Sequence, residues 1–244
     1  VDYKDYCEQI YQSWLSDPKH FSTFDSDFNM FSLPEPYYPL SKGDNSLVVL
    51  NNNPGGALNF QYHTYILKQF GADSSYKEVA SWLMEKYTAK DSAIGGSANA
   101  RNKKIAKIAN AMGYDSVENV ETFFLHSGSF NKPRFLKNYV KHAAVVEYKE
   151  SLKSYLADRS VVIVAAVGTG SSLSISGLRS SPWLEYQVDI AGLDFSQSSL
   201  EPLTTKNGKV TSGIVRNQNK ILICSMGSNN IPVRAADVIA GNSA

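Results

Sequence analysis

Four short apolar runs constrain the fold of this chain more than any other feature. Ser46–Leu50, Val120–Leu125, Val161–Val167 and Ile221–Cys224 each end in Gly, Ser, Asn or His turn residues. Runs of that length, apolar on both faces, are the habit of strands in a parallel sheet covered by helices on each side. The segments between them repeat with helical period. Tyr3, Tyr6, Ile10, Tyr11 and Trp14 predict an opening helix over 3–15, and further helices are expected over 60–70, 75–87, 99–112 and roughly 134–157. Trp183–Ile190 is a candidate strand, Lys209–Arg216 a candidate edge strand or hairpin, and Pro232 marks a candidate helix start with Asn230 as its cap. The expected fold class is α/β: a three-layer α/β/α sandwich with a mainly parallel central sheet. No repeat or linker divides it, so 1–244 reads as one domain with 1–45 as a helical and loop extension packed on it.

Composition excludes several classes. The 244 residues can bury a sizeable core, and 24 Lys+Arg against 23 Asp+Glu give a net charge of +1, neither basic nor acidic overall. The longest apolar run, Val161–Val167, is far below the roughly 20 residues of a membrane-spanning helix. The opening Val1–Asp5 is polar and unlike a signal peptide. Two cysteines, Cys7 and Cys224, are too few for a disulfide framework or a Cys-based zinc site. A soluble protein, cytoplasmic or nucleoid-associated and monomeric, is expected. The charge is unevenly spread, however. Residues 1–45 hold 3 Lys+Arg and 8 Asp+Glu, a balance of −5, whereas 101–142 hold 8 and 3, a balance of +5.

In open α/β sheets the ligand crevice lies beyond the carboxyl ends of the strands. Four loops, 51–57, 126–131, 168–172 and 225–230, are expected to gather there. Gly168-Thr169-Gly170 lacks the third Gly of a dinucleotide fingerprint, since Leu173 stands in its place, and no Walker-type phosphate loop occurs. The four histidines, His20, His63, His126 and His142, have no metal-ligand spacing, so no metal and no cofactor is expected. Gly168-Thr169-Gly170-Ser171 follows a strand but breaks the spacing of a serine nucleophile elbow.

The first loop fits a narrower chemistry. Val48-Val49-Leu50-Asn51-Asn52-Asn53-Pro54-Gly55-Gly56 resembles the first motif of the uracil-DNA glycosylase superfamily, nearest its mismatch-specific and single-strand-selective branches, where Asn-Pro-Gly follows an apolar strand. Asn51 stands where that motif usually has Gly. Ser225-Met226-Gly227-Ser228-Asn229-Asn230 follows the last apolar run, as the second motif does, without its His-Pro-Ser opening. Glu121–Ser127 occupies the place of the base-recognition segment. The resemblance implies a uracil-DNA glycosylase-like fold and a cofactor-free, monofunctional DNA glycosylase acting on a flipped pyrimidine.

The same resemblance implies roles. Asn53 would orient the attacking water, as an amide cannot take its proton at neutral pH. His126 would act with it, and Asn51, Pro54, Gly55, Gly56 and Ser127 would surround the base. Gly55 and Gly56, where the strictly uracil-specific branch has a bulky aromatic, imply room for 5-substituted or modified pyrimidines. Ser225, Gly227, Ser228, Asn229 and Asn230 would contact DNA, with Met226 as the apolar wedge. Gly168 and Ser171 of the third loop are further expected contacts. Arg101, Lys103, Lys104 and Lys107, turned to solvent beside an apolar Ile105–Ile108 face, and Lys132, Arg134, Lys137 and Lys141 form a basic segment suited to phosphates. Tyr37, Tyr38, Tyr62 and Tyr65 lie around the first motif as candidate stacking residues. The competing readings are a non-catalytic α/β module that binds nucleotides or nucleic acid, and a small-molecule nucleoside hydrolase that has no use for the basic segment.

Overall fold

The computed structural model describes residues 2–24, 26–54, 62–88, 95–165, 180–204, 210–225 and 231–241. Its sheet is built from β1 (Tyr37–Pro39), β2 (Ser46–Asn51), β3 (Ser116–Glu121), β4 (Val161–Val164), β5 (Ser199–Thr204), β6 (Val210–Arg216) and β7 (Ile221–Ser225), in the order β1-β3-β2-β4-β7-β6-β5. The central β3, β2, β4 and β7 pair parallel, with Leu50 opposite both Val120 and Val164. β1 joins antiparallel to β3, and β6 and β5 add an antiparallel pair beyond β7. The sheet is therefore mixed, with a parallel centre.

Alternation along the central strands feeds two cores. Val48, Leu50, Val120, Val162, Val164, Leu222 and Cys224 face one side, and Leu47, Val49, Val117, Ile163 and Ile223 the other. The first face is covered by α1 (Tyr3–Ser16), α2 (Tyr62–Phe70), α3 (Tyr76–Thr88), α5 (Lys132–Asn138), α6 (Ala143–Ala157) and α7 (Pro182–Ile190). The second is covered by Ile105, Ile108 and Ala109 of α4 (Gly95–Ala111) and Ala235 of α8 (Ala235–Ile239). Helical layers on both faces make the strands apolar throughout, as the four runs implied.

Several elements depart from the expectation. The second strand is not Val120–Leu125 but begins and ends about four residues earlier, at Ser116–Glu121. Its polar residues have buried partners, and Phe123, Phe124 and Leu125 leave the sheet to join an aromatic core with Phe21, Phe24, Phe28 and Phe135. The helix expected over 134–157 is two, α5 and α6, separated at Tyr139–His142; the Tyr139 ring packs against Phe24, Phe28 and Phe135 across that break. β5 had no forecast, because Ser199, Glu201 and Pro202 interrupt its apolar pattern. β1, within the presumed extension, is hydrogen-bonded into the sheet edge.

The clearest reversal is 183–190, expected as a strand and found as helix α7. Ser181 accepts a hydrogen bond from Leu184 N at 3.3 Å and Pro182 occupies the first turn, a start signal that outweighs the β-favouring Trp, Tyr, Val and Ile. At the other end Gly192, with φ +80°, closes the helix. Ser181→Ala is expected to destabilise the protein by about 1 kcal/mol, the usual cost of losing such a cap, read as a lower urea midpoint at unchanged slope.

Candidate functional site

The strand order places the site. From β2 the chain goes on to β3 on one side, and from β4 it goes on to β5 at the far edge of the other side and returns through β6 to β7, so the crevice expected of an open α/β sheet lies at the carboxyl ends of β2 and β4. β2 ends in Asn51-Asn52-Asn53-Pro54. Beside it the chain after β3 runs on in parallel: Thr122 N donates to Asn51 O at 2.9 Å and Phe123 N to Asn52 O at 3.0 Å. This second segment, 122–127, leads to His126 and Ser127.

Each asparagine is tied to a different element. Asn51 points to the α4 side, continuing the row of Leu47 and Val49. Its Nδ2 donates to Asn119 Oδ1 at 3.2 Å and Glu121 Oε1 at 3.3 Å, and its Oδ1 accepts from the Arg101 guanidinium. The Asn52 Oδ1 accepts from Trp183 Nε1 at 2.9 Å and Gln187 Nε2 at 3.3 Å, which binds the loop to α7. The Asn53 Nδ2 meets Pro54 O at 2.8 Å, Leu125 O at 3.0 Å and Ser127 Oγ at 2.9 Å. Two of those acceptors are carbonyls, which cannot donate, so the NH2 must face them and Oδ1 is the acceptor end left to point elsewhere.

Beneath the 122–127 segment lies a group the sequence reading missed. Glu35, from the Pro-punctuated loop before β1, has its side chain 2% exposed, with Oε1 3.1 Å from His126 Nε2 and Oε2 accepting from Tyr87 OH at 2.9 Å. The two atoms are in close contact without the geometry of an aligned hydrogen bond. Asn29 N donates to His126 O at 2.8 Å and Glu35 N to Phe124 O at 2.9 Å, so the N-terminal loop walls the segment. On the α4 side, burial holds the Glu121 carboxyl well above its ordinary value of 4.5; the nearby Glu35 adds to this, and Arg101 and Asn51 oppose it. Nothing in the sequence pattern singles out Glu35, Tyr87, Gln187 or Trp183 for this neighbourhood.

The expected residues divide into three groups. Asn51, Asn53, Pro54, His126 and Ser127 are brought together as anticipated, although His126 is buried under the site instead of facing it. Arg134 reaches the same neighbourhood, where it and Ser127 line a shallow notch with Phe28, Phe130 and Asn131. Its Nε is paired with Asp27 at 3.0 Å, with half its side chain exposed. Gly55, Gly56, Gly168, Ser171, Met226, Gly227, Ser228, Asn229 and Asn230 lie outside the described residues.

Other expectations are corrected. Ser225 is fully buried, because it is still part of β7 and sits opposite Ser212 of β6. Lys132 opens α5 with its side chain turned inward, 9% exposed. Arg101 does not face solvent but reaches Asn51 from α4. Tyr37 is buried under Lys4 Nζ, 3.1 Å above its ring, and Tyr38 stacks on Tyr87 at 4.7 Å. The exposed Lys103 and Lys107 belong to the α4 layer, Lys137 and Lys141 to the opposite one, so the basic segment is divided between both faces of the sheet. A larger open groove, lined by Lys153, Glu185, Asp189, Leu193, Asp194 and Phe195, shares no residue with the notch. Among the described residues no helix is long and apolar enough to cross a membrane.

Comparison with protein-family profiles, curated proteins and solved structures finds no match to this chain.

Burial lowers the Lys132 ammonium from 10.5 to about 8. A lysine with a depressed native pKa costs stability below that value, and the cost is relieved as pH rises toward the unfolded value. The stability of wild type relative to Lys132→Met is therefore expected to improve between pH 8 and 10.5 and to be flat below pH 7, measured by urea unfolding across that range.

Proposed function

We propose that this protein is a monofunctional DNA glycosylase with a uracil-DNA glycosylase-like fold. It hydrolyses the N-glycosidic bond of a flipped uracil-like or 5-substituted pyrimidine and leaves an abasic site. The observation that carries the proposal is the Asn53 amide at the end of β2, its Nδ2 fixed by Pro54 O, Leu125 O and Ser127 Oγ and its Oδ1 thereby aimed. The sequence Asn53-Pro54-Gly55 and the position at the sheet's crevice support the same reading.

Breaking C1′–N1 leaves a cationic sugar and a base anion, and little nucleophilicity is then needed of the water. A water that donates one hydrogen to Asn53 Oδ1 has its lone pair turned toward C1′. The new C1′–O bond forms, and the water's second proton passes to solvent or to the departing base, since an amide does not hold it. Ser127, hydrogen-bonded to the same amide, would serve as a donor to the base edge. The nucleotide must leave the stack to reach these groups, a step cheapest in mismatched or single-stranded DNA.

A second reading is favoured by one observation: Asn51 and Asn52 are both consumed in bonds to neighbouring elements, as a purely structural loop requires. Under it the protein is a non-catalytic α/β module binding nucleotides or nucleic acid with the same edge. The two separate in one assay. Duplex and single-stranded DNA carrying uracil, mismatched thymine or bulky 5-substituted pyrimidines are incubated with wild type and Asn53→Ala, and abasic sites are revealed by alkaline cleavage. We expect cleavage with wild type, loss of about 100-fold or more with Asn53→Ala, and unchanged DNA binding. Activity confined to uracil removes the 5-substituted substrates from the proposal. Binding without abasic sites on any substrate selects the second reading.

A further inference from the structure

Glu35 is 1% exposed in the core of the protein. An amide of the same size would fill that space without the cost of burying a charge, so a carboxylate there needs a partner. Its partners are Tyr87 OH at 2.9 Å and His126 Nε2 at 3.1 Å. The main chain ties it to the same segment. Of three consecutive carbonyls, Phe124 accepts from Glu35 N at 2.9 Å, Leu125 from Asn53 Nδ2 at 3.0 Å and His126 from Asn29 N at 2.8 Å. The strip that fixes the Asn53 amide on one edge is thus held on its other edge by the Glu35 loop.

We propose that Glu35 is a positioning residue: its carboxylate, fixed by Tyr87, holds the His126 ring and, through the 125–127 segment, the aim of the Asn53 amide. The geometry stands on the fold alone; its kinetic consequence rests on the glycosylase reading above. The charges around the pair come from every packed element. Tyr87 and Tyr76 belong to α3, Tyr38 to β1, Glu121 to β3 and Arg101 to α4. Glu121 is the second carboxyl near Glu35; burial holds it well above its ordinary value, and Arg101 opposes that shift. His126 acts from below through Ser127 and Leu125, not by touching substrate.

The test compares wild type, Glu35→Gln and Tyr87→Phe as full chains, with folding checked by circular dichroism. Labelled histidine reports the His126 titration by NMR, and the Asn53 side-chain NH2 resonances report the amide. In Glu35→Gln the His126 midpoint is expected to move to lower pH by about one unit or more, the scale for losing an opposite charge at this range. The Asn53 resonances are expected to shift with it. Tyr87→Phe, which keeps the carboxylate, shifts both less and in the same direction, and it decides the matter if Glu35→Gln does not fold. On uracil-containing DNA, kcat for base release falls roughly 10- to 100-fold in Glu35→Gln with KM unchanged. Identical His126 and Asn53 signals in the wild type and the folded variants overturn the proposal. Shifted signals in a protein that releases no base leave the positioning role standing and overturn the glycosylase reading instead.

Discussion

Where β2 ends, the chain must leave a parallel sheet while its carbonyls still need donors and its side chains face a buried edge. Three consecutive asparagines meet that demand. The Asn51 and Asn52 carbonyls are taken by the amides of Thr122 and Phe123, and the three side chains reach α4, α7 and the 125–127 segment separately. A short amide carries both a donor and an acceptor, so one residue type can tie the loop to three unlike neighbours. The position of α7 against the sheet edge, the course of the chain after β3 and the inward turn of Arg101 all depend on that termination.

A second polar layer follows from the first. Asn51 bonds to Arg101 and Glu121 on the α4 face, and Glu35 and His126 place a second pair of ionisable groups on the other side. Such networks cost more than apolar packing when partly satisfied. Glu121 Oε2, Asn119 Nδ2 and Gln187 Oε1 are buried without a hydrogen-bond partner among the described residues. The surface charge tells a related story. The basic segment that stood out in the sequence contributes Arg101 and Lys132 to the interior, and its exposed lysines flank both sides of the sheet edge.

What could be read from the sequence was whatever announced itself by period or by turn residues. β2, β4 and β7 are continuous apolar runs, and the helix of Tyr3, Ile10 and Trp14 is strictly periodic. β3 was misplaced because its polar residues, Asn119 and Glu121, are buried against Asn51, so the usual link between polarity and exposure fails there. Helix α7 carries the β-favouring Trp183, Tyr186, Val188 and Ile190, and only its Ser181-Pro182 start announces a helix. At the site, Asn53 and Ser127 were legible as turn residues after strands. Glu35 was not: it comes from a loop with no period, and only the pairing of that loop with 124–126 brings it beneath His126.

In the proposed reaction the Asn53 amide works by direction and not by basicity. Its NH2 faces the carbonyls of Pro54 and Leu125, where a carboxylate oxygen would be repelled. Single-turnover release of base from uracil-containing DNA, compared among wild type, Asn53→Ala and Asn53→Asp, tests this directly. Wild type is expected to release base, and Asn53→Asp to lose as much rate as Asn53→Ala although a carboxylate is the stronger proton acceptor. An Asn53→Asp rate equal to or above that of wild type, or a wild type that releases no base, contradicts the account.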